Sequence, residues 1–223
     1  RLAIGAVVSG RLKGLFPEWL SRTAIATRFM HLQHSPLLLL LDNSNDPEFR
    51  GRMETESAKY RSTFGEIRFV DFGENVPEND CPEARRDAVS RYMAFACNRM
   101  LKEMDGYDLA WFIEDDVLIP QAAGERLYQA LTEGERMPHA VSGCYRNRHN
   151  TKTIVGGSMV DRLWIEPEDI PAETTPVDFV GTGCLMFWTQ RTPRTFPSHV
   201  DGIPAHDWAW ATEAWRLYQP RLQ

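Results

Sequence analysis

Five consecutive leucines, Leu37 to Leu41, run straight into Asp42. A strand with one wet face alternates apolar and polar residues, so an unbroken apolar run needs cover on both faces. The run is also far too short for a membrane helix, which needs about 20 apolar residues. The stretch "RLAIGAVVSGR" from Arg1 to Arg11 reads the same way, as a buried strand closed by Ser9 and Gly10. Between the two lies "PEWLSRTAIATRFMHL", a helix opened by Pro17. Strand, helix, strand with both strands covered predicts a parallel α/β sheet.

The pattern continues. "GEIRFVDFG" predicts a third short strand, and "CPEARRDAVSRYMAFACNRMLKEMDG" the strongest helix of the chain. Val89, Tyr92, Met93, Ala96, Met100 and Met104 fall on one face of it, with Pro82 near its start and Gly106 just past its end. "DLAWFI" is the next strand and delivers Glu114, Asp115 and Asp116 at its end. Beyond Pro120 a helix over "AGERLYQALTEG" precedes shorter strands in "AVSGCYR", "TKTIVGGSMV" and "DFVGTGCLMFW". The second half of the sheet is therefore expected to be mixed. No repeat, low-complexity tract or linker divides the chain, so one domain over 1–223 is expected.

With 223 residues, 43% of them hydrophobic, the chain can bury a sizeable core without disulfide or metal support. A net charge of −6 works against non-specific attraction to nucleic-acid backbones and anionic membranes. Cys81, Cys97, Cys144 and Cys184 form no C-x-x-C pair, which argues against a zinc knuckle. They read as free, buried thiols of a reducing, cytoplasmic compartment. No stretch is long and apolar enough for a transmembrane helix.

The acidic triplet follows Trp111, Phe112 and Ile113 and precedes Val117 and Leu118. Three carboxylates pressed between apolar residues repel one another unless a cation or hydrogen-bond donors sit among them. Side chains alternate along a strand, so Glu114 and Asp116 are expected to point one way and Asp115 the other. Two carboxylates on one side, with water and phosphate oxygens filling the rest, suit Mg²⁺ or Mn²⁺. A solvated acidic turn is the plainer reading of the same residues.

Glu114-x-Asp116 resembles the D-x-D signature of GT-A-fold nucleotide-sugar glycosyltransferases of the family 2-like kind. Three other segments follow that family's order: "VVSGR", "DNSND" and "VGTG…HDW". The resemblance implies a single Rossmann-like α/β domain with a mixed, mainly parallel sheet flanked by helices. Residues 1–120 would form its nucleotide-binding half and 121–223 its acceptor and catalytic half. It also implies a nucleoside-diphosphate sugar donor, a divalent cation (Mn²⁺ or Mg²⁺) held by Glu114 and Asp116, and a hydroxyl acceptor; the acidic charge balance does not exclude an acceptor borne by a nucleic acid. Asp42 would read the nucleotide base, with Ser9 and Arg11 beside it and Asp115 contributing to donor binding. An Asx turn or a helix cap is the competing account of Asp42.

Asn98 matches half of the Arg-Asn pair expected on the preceding helix; Cys97 stands where the Arg belongs, and Arg91 is the candidate substitute. Gly181 and Gly183 would let backbone approach the sugar, although a plain turn before a core strand explains them equally. Asp207 corresponds to the catalytic base of inverting members, and an N-cap on "WAWATEAWRLY" is its bland alternative. His206 has no assigned role, while Trp208 and Trp210 offer a platform for a sugar face. The family pattern further implies a strand, and often a metal-binding His, beyond Gln223. A sugar-phosphate nucleotidyltransferase and a non-catalytic carbohydrate- or Ca²⁺-binding module are the alternatives, the first weakened by the faint basic loop in "SGRLKGLFPEW".

Overall fold

The leucine run forms β2 (Leu37–Asp42), whose six residues are all buried. Alternate side chains enter two different cores. Leu38 and Leu40 pack with Trp19, Leu20, Phe49, Met53, Leu127 and Leu131. Leu37, Leu39 and Leu41 pack with Ala96, Cys97, Met100, Met104, Phe187 and Phe196. Each fully buried leucine contributes roughly 1.5–3 kcal/mol relative to exposure, which is why this strand sits where neither face is wet. The computed structural model describes residues 1–73, 82–133, 138–145, 156–158, 163–164, 177, 179–200 and 203–204.

Around β2 the chain builds an α/β/α domain. In chain order the first half contains β1 (Leu2–Val8), α1 (Phe16–Arg28), β2, α2 (Pro47–Ala58), β3 (Glu66–Asp71), α3 (Pro82–Glu103) and β4 (Leu109–Ile113). The second contains α4 (Ala123–Thr132), β5 (Ala140–Ser142), β6 (Gly156–Ser158), β7 (Leu163–Trp164), β8 (Phe179–Val180), β9 (Cys184–Trp188), β10 (His199–Val200) and β11 (Ile203–Pro204). Helices α1, α2 and α4 line one face of the main sheet through the first core, and α3 lines the other through the second.

The main sheet has the strand order β3-β2-β1-β4-β9-β5. Strands β1, β2, β3 and β4 are parallel, whereas β9 runs against both β4 and β5. A three-stranded sheet β7-β6-β8 and the hairpin β10-β11 complete the strands among the described residues. The chain moves outward from β1 to β2 and β3, then returns to the other side of β1 as β4. That reversal opens a crevice at the carboxyl ends of β1 and β4, the usual ligand position in open α/β sheets.

One helix was not expected, and two local expectations need correction. Helix α2 gives no clear sequence signal, because it buries only Phe49, Met53 and Ser57 along one stripe; its start is set by Asp46, which accepts the Phe49 N–H, and by Pro47. Val89 of α3 is exposed, since the packed face follows Ala96, Cys97, Met100 and Met104 instead. Cys144 is an exposed free thiol, while Cys97 and Cys184 are buried as expected. Among the described residues no helix is long and apolar enough to cross a membrane.

Candidate active site

The acidic triplet lies at the crevice. Strand β4 ends at Ile113, and the chain turns at once, closed by the Val117 N–H donating to the Glu114 carbonyl at 3.0 Å. The expected alternation of Glu114 and Asp116 against Asp115 therefore does not apply, because a turn has no strand pleat. What orients these carboxylates is hydrogen bonding. The Ser9 amide and hydroxyl both donate to Asp115 Oδ2, at 2.8 and 3.1 Å. The Thr182 hydroxyl donates to Glu114 Oε1 at 3.3 Å. The indole of Trp19, buried on α1, donates to the Glu114 carbonyl at 3.0 Å.

Strand direction explains why Thr182 is there. Because β9 is antiparallel to β4, its first residue Cys184 pairs with Ile113, the last residue of β4. The turn Gly181-Thr182-Gly183 that leads into β9 thus meets the acidic turn. The two are joined by the Glu114 N–H, which donates to the Gly183 carbonyl at 2.9 Å. The Gly183 N–H in turn donates to the Tyr145 hydroxyl at 2.8 Å. A Cβ on Gly183 would lie 2.7 Å from the Tyr145 ring, so only glycine allows this close approach. Trp19, Tyr145 and Thr182 carry no signal of these roles in the sequence. Nothing local to them announces contact with residues 38 to 95 positions away.

On the other side of β1, Val8 pairs with Asp42 and Asp42 with Asp71. Asp42 is 8% exposed and heavily engaged. Its Oδ1 accepts the Ser44 amide and hydroxyl at 2.9 and 2.6 Å, an Asx turn, and its Oδ2 accepts Arg50 at 3.2 Å. The helix cap is supplied by Asp46, not by Asp42. Arg50 also donates to Asp71 at 2.7 Å and Glu54 at 2.9 Å, and its guanidinium stacks on Phe69. Partial burial works to lower the Arg50 pKa, but its bonds to Glu54, Asp42 and Asp71 prevail and raise it. Arg11 lies in a short 3₁₀ turn, Gly10–Leu12, without an ion pair among the described residues.

Asn98 faces a different segment. Its amide nitrogen donates to the Phe196 carbonyl at 3.0 Å and its oxygen accepts the Phe196 N–H at 2.6 Å. Two more bonds tie α3 to the same stretch: Ser90 donates to the Ser198 carbonyl, and Asp87 contacts His199 at 2.5 Å. Arg91 bonds to Asp87 at the surface at 2.9 Å. Cys97 is buried and lines an apolar hollow with Met93, Met100 and Phe112 behind Glu114 and Thr182, so among the described residues the lining of this hollow includes no cation where the Arg was expected. His206, Asp207, Trp208 and Trp210 lie outside the described residues. Among the described residues no group of three or more His, Cys, Asp or Glu is arranged to hold a metal by itself.

No protein-family model and no curated protein matches the chain. The solved structure of the mannosyltransferase PcManGT from Pyrobaculum calidifontis, in complex with GDP-Man and Mn²⁺, superposes with a TM-score of 0.60 at 12% identity. The two chains share a fold. The likeness takes in 97% of this chain but 52% of PcManGT, so the chain spans about half the length of that enzyme. Galactosyltransferase LgtC in complex with donor and acceptor sugar analogs superposes at 0.40 and 15% identity, over 99% of this chain and 66% of its own. WbbM, a bifunctional glycosyltransferase in its apo form, gives 0.42 at 13% identity, over 85% and 31%.

Proposed function

We propose that this chain transfers a glycosyl unit from a nucleoside-diphosphate sugar to an acceptor hydroxyl. The observation that carries the reading is the acidic turn, hydrogen-bonded to the ends of β1 and β9 at the sheet's switch point. The fold shared with a mannosyltransferase bound to GDP-Man and Mn²⁺ supports it.

The donor set, carboxylate oxygens in a turn, suits a hard divalent cation that keeps phosphate and water among its ligands. In this reading Glu114 and Asp116 hold Mn²⁺ or Mg²⁺, which when bound neutralises the charge of the departing diphosphate. Ser9 keeps Asp115 fixed beside the donor, and Arg11 reaches the phosphates from the end of β1. Asp42 meets the nucleoside on the Oδ2 side that it shares with Arg50. Gly181 gives the sugar a backbone surface, Gly183, packed against Tyr145, shapes the turn beside it, and Asn98 contributes by tying the segment at Phe196 to α3.

Asp207 takes the proton of the acceptor hydroxyl as that oxygen bonds to the anomeric carbon and the bond to the diphosphate breaks. One displacement of this kind inverts the anomeric centre. Incubation with a panel of nucleotide sugars plus Mn²⁺ or Mg²⁺ tests the reading, with sugar transfer or slow donor hydrolysis expected. Pyrophosphate release from a nucleoside triphosphate would make the chain a nucleotidyltransferase instead, and binding without turnover a carbohydrate- or Ca²⁺-binding module.

A further inference from the structure

We infer that Tyr145 is a positioning residue for the acidic turn, acting through Gly183, whose N–H and C=O lie on successive peptide groups. The inference rests on the reading of that turn as the donor and cation site.

Three facts meet at Gly183. Its N–H donates to the Tyr145 hydroxyl at 2.8 Å, its C=O accepts the Glu114 N–H at 2.9 Å, and its neighbour Thr182 donates to Glu114 Oε1 at 3.3 Å. The N–H and C=O of one residue belong to successive peptide groups joined at its Cα, so the Tyr145 bond acts on the Glu114 bond by fixing the backbone torsions of Gly183, which glycine would otherwise leave free. Tyr145 therefore bonds to one end of a chain whose other end is the first residue of the acidic turn.

The contact is built, not incidental. The phenol ring occupies the space a Cβ on Gly183 would need, with Cζ 2.7 Å and the hydroxyl oxygen 2.8 Å from that position. Tyr145 is itself held nearby, because it follows Gly143, whose N–H donates to the Cys184 carbonyl at 2.9 Å. Its ring packs against the first core. Removing the hydroxyl alone thus leaves the packing in place and deletes one hydrogen bond.

The test is Tyr145→Phe, read in two ways. Amide hydrogen exchange at Gly183 and Glu114 should quicken in the variant. The affinity for UDP or GDP in the presence of Mn²⁺ should weaken roughly 3–10-fold, together with a fall of a few degrees in melting temperature, because the buried Gly183 N–H loses its acceptor. Unchanged exchange would show that the relay does not hold the turn. Faster exchange with wild-type affinity, or a fall in melting temperature alone, would make Tyr145 a packing residue and overturn the positioning role. A wild-type protein that binds neither nucleotide would strike at the functional reading, and the exchange comparison would then decide by itself whether Tyr145 sets the turn.

Discussion

The carboxyl edge of the main sheet holds two sets of acidic residues, and they are held differently. At the ends of β1, β4 and β9, Asp115 and Glu114 accept from an amide and two hydroxyls, those of Ser9 and Thr182. At the ends of β2 and β3, Asp42 and Asp71 share the guanidinium of Arg50. Bonds from neutral donors orient a carboxylate, whereas the one guanidinium that Asp42 and Asp71 share also offsets part of their charge. In the proposed reading the first arrangement meets a cation-bound diphosphate and the second a neutral base, which gives the edge a charged side and a neutral side.

The largest effect is expected at Asp207, which the proposal makes the catalytic base. Asp207→Asn keeps a side chain as good at capping as Asp, so stability should hold while transfer falls roughly 10²–10⁴-fold. Near-wild-type turnover would move the base elsewhere or require a retaining mechanism. Next in size is Asp116→Ala, expected to weaken UDP or GDP binding in Mn²⁺ by about 10–100-fold or more. EDTA should do the same to the wild type. Calorimetry giving one affinity with metal, with EDTA and in the variant would remove the cation from the charged edge.

The other side predicts a stability effect. Asp42→Ala deprives Arg50 and the Ser44 turn of their acceptor, and a bond to a charged group contributes about 1.5–3 kcal/mol. Denaturant unfolding should show a loss of that order, with nucleoside affinity falling too if Asp42 also meets the base. A variant as stable as the wild type would leave the ion pair without a structural role.

The smallest effect concerns Asp87, whose pKa is held below the usual Asp value by its bond to Arg91 and then by His199. A depressed folded-state pKa contributes stability that is present above the unfolded value and lost as pH falls through the folded one. Asp87→Asn should therefore melt slightly below the wild type near neutral pH, and the gap should close below about pH 4. Added salt should narrow the neutral-pH gap, because this pair is exposed. A gap that persists in acid would mean that the two side chains differ in packing, not in charge.

Part of this architecture is legible in the amino-acid sequence alone. The wholly apolar strands β1, β2 and β4 can be read from their lack of alternation, and α3 from its length and its proline and glycine ends. Helix α2 escapes such a reading because three buried residues in twelve make a faint stripe. Glu114, Asp115 and Asp116 stand out by charge against apolar neighbours. Their partners do not: Ser9 lies 106 residues from Asp115 and Thr182 68 from Glu114.

The sequence by itself determined which segments must be buried and where the chain concentrates negative charge, because burial and charge are properties of single side chains. It also marked Gly181 and Gly183 as places where backbone can be approached closely. Only the tertiary structure decided what approaches. The antiparallel insertion of β9 between β4 and β5 brings the glycine turn to the acidic turn, and a strand's direction within a sheet is not written in its composition. The same holds for Arg50, one surface arginine among many in the sequence. It becomes the partner of Asp42 only because α2 folds back over the end of β2.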